Sequence, residues 1–137
     1  MLRLPAAVHA EMVSHCLGGL PDEACGLLGG DPATGSVSTC YPTRNLAASA
    51  KVYALDGLEF QRVEERAESL GEQVIAVFHS HTHTDAYPSP TDIAQANPLY
   101  PDWHYVLVSL RDTHPVVRSY RIIGGRVEEE PVLVDGR

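Results

Sequence analysis

The run QVIAVFHSH at positions 73–81 constrains the fold of this chain more than any other stretch. It is rich in β-branched residues, and its apolar side chains fall on both faces of an extended chain. We therefore predict a central strand, covered on both sides. The run ends by placing histidine at every second position, which is unusual for an apolar strand and requires its own explanation.

Periodicity elsewhere predicts helices on a mixed sheet. Residues 6–17 form one amphipathic pattern that stops at a Gly pair, and residues 56–70 form a second one that stops at Gly71. Further strands are predicted at 24–30, 36–42, 104–110, 116–123 and 126–134, and a short helix follows Ser89. The expected fold class is α/β, with a mixed, largely antiparallel sheet flanked by two main helices and one short helix.

Composition narrows the class of protein. A length of 137 residues suits one domain spanning 1–137. The formal net charge of −8 argues against a nucleic-acid partner. No apolar run is long enough to cross a bilayer, and the interrupted N-terminus is a poor signal peptide, so we expect a cytoplasmic protein without a membrane partner. The three cysteines form no CxxC pattern, which favours reduced thiols. Formation of a homodimer is compatible with this sequence.

The alternating histidines predict half of a metal site. His79 and His81 lie two residues apart on a strand, so both imidazoles point to the same face. Asp92 is the candidate third ligand, because the Ser-Pro-Thr-Asp stretch at 89–92 is typical of a helix start and could fold back over a short loop. Asp92 could instead serve only the helix cap, although the two roles are compatible. His83 is either a rim residue or a ligand in place of Asp92.

Three protein ligands would leave the fourth position of a tetrahedral zinc ion open, as in catalytic sites. Hydrolysis also needs a proton acceptor and a donor for the oxyanion. Glu23 is the best-placed acid, since PDEACGLLGG puts it at the mouth of a buried strand, and Ser89 is the natural hydroxyl donor. No GxGxxG, P-loop, GxSxG or HExxH motif points to another chemistry.

These residues together resemble a known family. His79-Ser80-His81, seven residues, Ser89, two residues and Asp92 match the H-[S/T]-H-x7-S-x2-D signature of the JAMM (MPN-plus) zinc metalloproteases. Their upstream glutamate motif, E-x-C-G-x-L-x-G, is matched by residues 23–29. The likeness runs along nearly the whole chain. It is strongest to short bacterial members that act with a ubiquitin-like sulfur carrier protein in cysteine biosynthesis.

The resemblance implies a JAMM/MPN fold of the cytidine-deaminase-like kind and one Zn²⁺ ion held by His79, His81 and Asp92. It also implies that Glu23 activates water, that Ser89 stabilises the oxyanion, and that the substrate is a carrier of the CysO, ThiS or MoaD type. The expected reaction is hydrolysis of the amide after the carrier's C-terminal glycine, releasing cysteine. The alternatives are an isopeptidase acting on lysine-linked conjugates and a non-catalytic MPN-type binding module.

Overall fold

A computed structural model describes residues 1–135. Its three helices are α1 (Ala6–Gly18), α2 (Gly57–Ser69) and α3 (Pro90–Gln95). The strands are β1 (Leu2–Pro5), β2 (Cys25–Asp31), β3 (Ser36–Thr43), β4 (Gln73–His81), β5 (His104–Ser109), β6 (Val116–Ile123), β7 (Arg126–Glu130) and β8 (Val132–Asp135). No helix within these residues is long and apolar enough to span a bilayer.

The strands form one sheet in the order β7-β6-β5-β4-β2-β3-β1-β8. Antiparallel pairing joins β2 to β3 and β4, and β6 to β5 and β7. The pairs β4–β5, β1–β3 and β1–β8 are parallel. This mixed, largely antiparallel sheet with flanking helices confirms the predicted fold class, and β4 lies in its interior as predicted.

Two apolar cores cover the two faces of the sheet. One forms under α1, whose residues Val8, Met12 and Cys16 pack against the strands. The other forms under α2, where Val63 packs with aromatic side chains from β5 and β6. Strand β4 contributes to both cores because its side chains alternate between the faces. Phe78 points into the α1 core and Val77 into the α2 core.

The first strand and the last two strands differ from the sequence prediction. Residues 126–134 were expected to form one strand, but Pro131 divides them into β7 and β8, which lie at opposite edges of the sheet. Proline has no N–H with which to continue a ladder. Because a single residue separates two edge strands, the sheet curls until its edges meet, and Leu2 N–H donates to the Pro131 carbonyl at 3.0 Å. Strand β1, only four residues long, was not predicted.

Candidate active site

The histidine pair and the start of α3 meet at one end of β4. Alternation along the strand places His79 and His81 on the α2 face, where each residue is only 4% exposed. Helix α3 begins with Ser89 at the N-cap, Pro90 in the first turn and Asp92 at the third position. The loop 82–88 reverses the chain, so Asp92 comes to lie against both histidines. The sequence predicted this convergence.

Three donor atoms converge at nearly equal spacing. His79 Nε2 lies 3.3 Å from His81 Nε2, and Asp92 Oδ2 lies 3.2 Å and 3.0 Å from these two nitrogens. Ligands at the usual 2.0–2.1 Å from a tetrahedral zinc ion are separated from one another by about 3.3 Å. The three atoms therefore already have the spacing of three corners of such a site.

Hydrogen bonding to the loop fixes the tautomer of His81. His81 Nδ1 lies 2.8 Å from the Asp85 carbonyl, which can only accept, so Nδ1 carries the proton. In the neutral imidazole, Nε2 is then unprotonated and faces the Asp92 carboxylate, so the 3.0 Å separation of these two atoms requires either a proton on Nε2 or a metal ion between them. The donor set of two imidazoles and one carboxylate suits zinc, and the Asp85 bond is the outer-shell contact that typically orients a metal-binding histidine.

The pKa shifts reflect the same crowding. Burial lowers the pKa of His79 below its usual value. Burial acts in the same direction on His81, but hydrogen bonds with Asp92 and the Asp85 carbonyl outweigh it and raise the pKa of His81. Burial alone would raise the pKa of Asp92, yet hydrogen bonds from both histidines hold that pKa far below its ordinary range. The carboxylate is therefore kept ionised, as a metal ligand must be.

Glu23 reaches the same face through the pairing of β2 with β4. Cys25 pairs with His79, so continuing this antiparallel register places Glu23 opposite His81, and directly opposed side chains share a face. Glu23 is 4% exposed, and its Oε1 atom has no hydrogen-bond partner among the described residues. A buried carboxylate oxygen without a partner, beside a cluster of potential metal ligands, is the feature expected of a group that serves a water molecule or ion. Burial raises the pKa of Glu23 to about 7.

Ser80 and Gly26 explain two further positions of the motif. Ser80 is fully buried; its hydroxyl accepts from Ala24 N–H at 2.8 Å, and its own N–H donates to the Ala24 carbonyl at 2.9 Å. The residue between the two histidines thus holds the peptide that follows Glu23. Gly26 pairs with Phe78, and a Cβ atom there would lie 2.3 Å from the Phe78 ring. Because Gly26 has no side chain, the fully buried Phe78 ring can lie against the backbone of β2 at this position.

Ser89 has a structural role and retains a free proton donor. Its hydroxyl oxygen accepts from Asp92 N–H at 3.1 Å, while Asp92 Oδ2 accepts from Ser89 N–H at 2.8 Å. This reciprocal pair is a capping box, and the same Asp92 oxygen faces both histidines, so the cap is compatible with a ligand role for Asp92. The capping bond uses a lone pair of the Ser89 oxygen and leaves its hydroxyl hydrogen available. Ser89 is half-buried.

Tyr53 is a site residue that sequence reasoning missed. Its ring stacks on the His79 imidazole with a centroid separation of 4.2 Å, although it lies in an irregular connection between β3 and α2. Beside it opens a cleft of about 280 Å³ whose walls include Phe60, Trp103 and Tyr105. No local pattern around Tyr53 predicts the contact, because the connection has no periodicity and crosses the site only in three dimensions.

The remaining histidines lie outside the cluster. His83 is exposed and is not among the three converging ligands, which agrees with the prediction of a rim residue. His104 is buried and bonded to Glu130 at 2.6 Å, as expected of a structural histidine. His15 is half-buried, and its Nε2 atom lies within hydrogen-bond distance of the Cys25 and Thr43 carbonyls. All three cysteines are buried free thiols.

Comparison with known proteins identifies the family. A family model described as prokaryotic homologs of the JAB domain matches residues 5–123. The chain belongs to this JAB/MPN family. That membership confirms the family expected from the motif.

Two relatives of this chain carry the names of enzymes. The chain is 45% identical over 124 residues to the CysO-cysteine peptidase of Mycobacterium tuberculosis, covering 90% of this chain and 84% of the relative. It is 34% identical over 113 residues to the desampylase of Haloferax volcanii, covering 79% and 80% of the two chains. The JAB domain and these relatives make it a hydrolase of the JAMM type.

Solved structures confirm the fold. A Desulfitobacterium hafniense protein determined in solution superposes with a TM-score of 0.90 at 32% identity, covering 100% of this chain and 94% of that one. A JAB1/MPN domain protein from Archaeoglobus fulgidus, at 16% identity, has a TM-score of 0.64 over 98% of both chains and supports the fold alone.

Proposed function

We propose that this protein is a zinc peptidase that hydrolyses the amide bond after the C-terminal glycine of a ubiquitin-like sulfur carrier protein and releases cysteine. The observation that carries the proposal is the convergence of three potential ligand atoms at tetrahedral spacing beside the Glu23 carboxylate, whose Oε1 atom has no hydrogen-bond partner among the described residues. Identity of 45% to a CysO-cysteine peptidase supports the choice of substrate. In this proposal the catalytic domain spans residues 1–137 and acts in the cytoplasm.

His79, His81 and Asp92 would hold the metal. A zinc ion there would polarise the scissile carbonyl and lower the pKa of water towards neutrality. The protein's own contribution begins with Glu23, which takes a proton from the attacking water. The same carboxyl group then delivers that proton to the leaving amine. With its pKa raised to about 7 by burial, Glu23 can serve as base and acid in one cycle near neutral pH.

Ser89 would act on the oxygen of the scissile carbonyl. Its hydroxyl hydrogen is not consumed by the capping box, so it can donate to that oxygen as negative charge develops. Loss of one such donor typically lowers kcat about 100- to 1,000-fold. Ser89→Gly tests this role, because glycine is nearly as good an N-cap as serine and keeps the helix start within a few tenths of a kcal/mol.

Intact-mass spectrometry of a carrier extended by one C-terminal cysteine is the direct test. We expect the zinc-loaded protein to remove only the cysteine. A chelator should abolish the reaction. Glu23→Gln should reduce it to a small residual rate while leaving the zinc content, measured by elemental analysis, unchanged. Glu64→Gln on the exposed face of α2 is the matched control and should react like the wild type. Full activity of the Glu23→Gln variant with bound zinc would refute the mechanism.

The second candidate is an isopeptidase that cuts lysine-linked conjugates. The relative named desampylase is the observation that favours it. The two are separated by presenting the same carrier linked through its terminal glycine either to cysteine or to a lysine side chain. Cleavage of the lysine linkage alone would assign the protein to this second function.

A further inference from the structure

The polar connection between β3 and α2 contains one side chain whose hydrogen bonds are all used. The Asn45 amide nitrogen donates to the Glu23 carbonyl at 2.9 Å and to the Val52 carbonyl at 3.0 Å. Its amide oxygen accepts from Ala47 N–H at 3.0 Å and from Ala54 N–H at 2.9 Å. Two partners are carbonyls and two are N–H groups, so the orientation of the amide is fixed and its full bonding capacity is satisfied.

These bonds join two parts of the active site that are distant in sequence. On one side, Asn45 holds the backbone of Glu23. On the other, it bonds to the Val52 carbonyl and the Ala54 N–H. These residues lie on either side of Tyr53, whose ring stacks on His79. The same connection supplies the Ser49 carbonyl that accepts from Glu23 N–H at 2.8 Å. Both peptide groups flanking the Glu23 side chain are therefore bound by the connection that Asn45 organises.

This arrangement matters because the Glu23 carboxylate has little else to orient it. Its Oε1 atom has no partner within the described residues, so the position of the side chain follows from its backbone. An error of about 1 Å in the placement of a reacting group can cost roughly 100-fold in rate. Asn45 is half-buried and contacts none of the three converging ligand atoms, so it can affect proton transfer without forming part of the metal site.

We propose that Asn45 is a positioning residue that sets the geometry of Glu23 relative to His79 and His81 by bridging the Glu23 backbone to the Tyr53 segment. The inference rests on the proposed function of Glu23 as proton carrier and extends it to a residue outside the metal-binding motif. Asn45 acts through the backbone of Glu23 and does not touch the reacting atoms.

Asn45→Asp is the most informative variant. A carboxylate can still accept from Ala47 and Ala54 N–H, which preserves the turn, but it cannot donate to the Glu23 and Val52 carbonyls. We expect kcat for the glycyl-cysteine carrier to fall roughly 10- to 100-fold with a smaller change in KM and unchanged zinc content. Asn45→Ala should lose at least as much. Asp31→Ala is the control, since Asp31 makes a similar turn bond to Ala33 N–H at the far end of β2.

A double-mutant cycle separates positioning from a general structural effect. If Asn45 acts through Glu23, adding Asn45→Asp to Glu23→Gln should cause no further loss of the residual rate, measured by mass spectrometry over long incubations. An equal loss in both backgrounds would overturn the proposal. So would full activity of Asn45→Asp.

Hydrogen exchange tests the proposal without any substrate. Exchange at the Glu23 amide of the zinc-loaded protein should accelerate at least tenfold in Asn45→Asp and stay unchanged in Asp31→Ala. If the wild type is inert towards both substrates, the proposed function fails. The exchange result would then still decide the role of Asn45: unchanged protection of Glu23 in Asn45→Asp would overturn it.

Discussion

Replacing Gly26 by alanine should damage the fold at the point where β2 pairs with β4. Gly26 on β2 pairs with Phe78 on β4, one residue before His79. The added Cβ atom would lie 2.3 Å from Phe78 Cε2, 2.4 Å from Phe78 Cζ and 2.8 Å from the Tyr41 carbonyl oxygen. Carbon atoms prefer separations of about 3.5–4.0 Å. The ring is 0% exposed and the carbonyl belongs to a paired strand, so neither neighbour can swing away.

The magnitude follows from this lack of room. Overpacking a filled core usually costs about 1–3 kcal/mol. Gly26→Ala meets a buried ring and a backbone atom together, so we expect a loss of about 3 kcal/mol in the free energy of unfolding. For a domain of this size such a loss lowers Tm by about 10 °C. Activity should fall as well, because β2 carries Glu23 into register with β4.

Thermal and urea unfolding followed by circular dichroism measure the effect. Gly18→Ala is the control, since a Cβ atom at that position meets nothing within 4 Å. Phe78→Leu removes the colliding ring atoms, so the double variant should lose at least 1 kcal/mol less than the sum of the two single variants. A Gly26→Ala protein within 1 kcal/mol of the wild type, or strict additivity with Phe78→Leu, would refute the steric explanation.

Two further predictions concern buried groups away from the cluster. Burial would raise the pKa of Glu130, but hydrogen bonds from His104, the terminal amino group and Ser119 lower it to about 2. Because the folded-state pKa lies below the unfolded value, Glu130 should contribute at most about 3 kcal/mol above pH 4.5, and this contribution should disappear as the pH falls towards 2. Urea unfolding at a series of pH values should show that the free energy of unfolding falls less steeply at acid pH in Glu130→Gln than in the wild type. An equally steep fall in the two proteins would contradict this. Tyr120 OH donates to the Ala86 carbonyl next to Asp85, so Tyr120→Phe should loosen the loop that orients His81 and weaken zinc binding roughly tenfold. Competition with a chromogenic chelator would measure this, and unchanged zinc affinity would count against it.

Local pattern was sufficient for the three helices, for most of the strands and for the three residues whose ligand atoms converge. A period of two along 73–81 places His79 and His81 on one face whatever surrounds the strand. Ser89, Pro90 and Asp92 define a helix start through backbone geometry and capping, which are properties of neighbouring residues. The sequence therefore determined the strand, the cap and the donor types. It also contained the spacing that identifies the family.

Long-range pairing decided the rest. Glu23 faces His81 because β2 pairs with β4 in one register, and a shift of one residue would turn its side chain to the other face. Tyr53 and Asn45 lie in a connection without periodicity, so only the folded chain shows that one stacks on His79 and the other holds the Glu23 backbone. After Pro131 the chain continues as β8 at the opposite edge of the sheet. This is possible because the sheet curls, and the curl depends on all its strands together. Periodicity reports which face a side chain occupies, whereas tertiary structure selects the groups that meet it there.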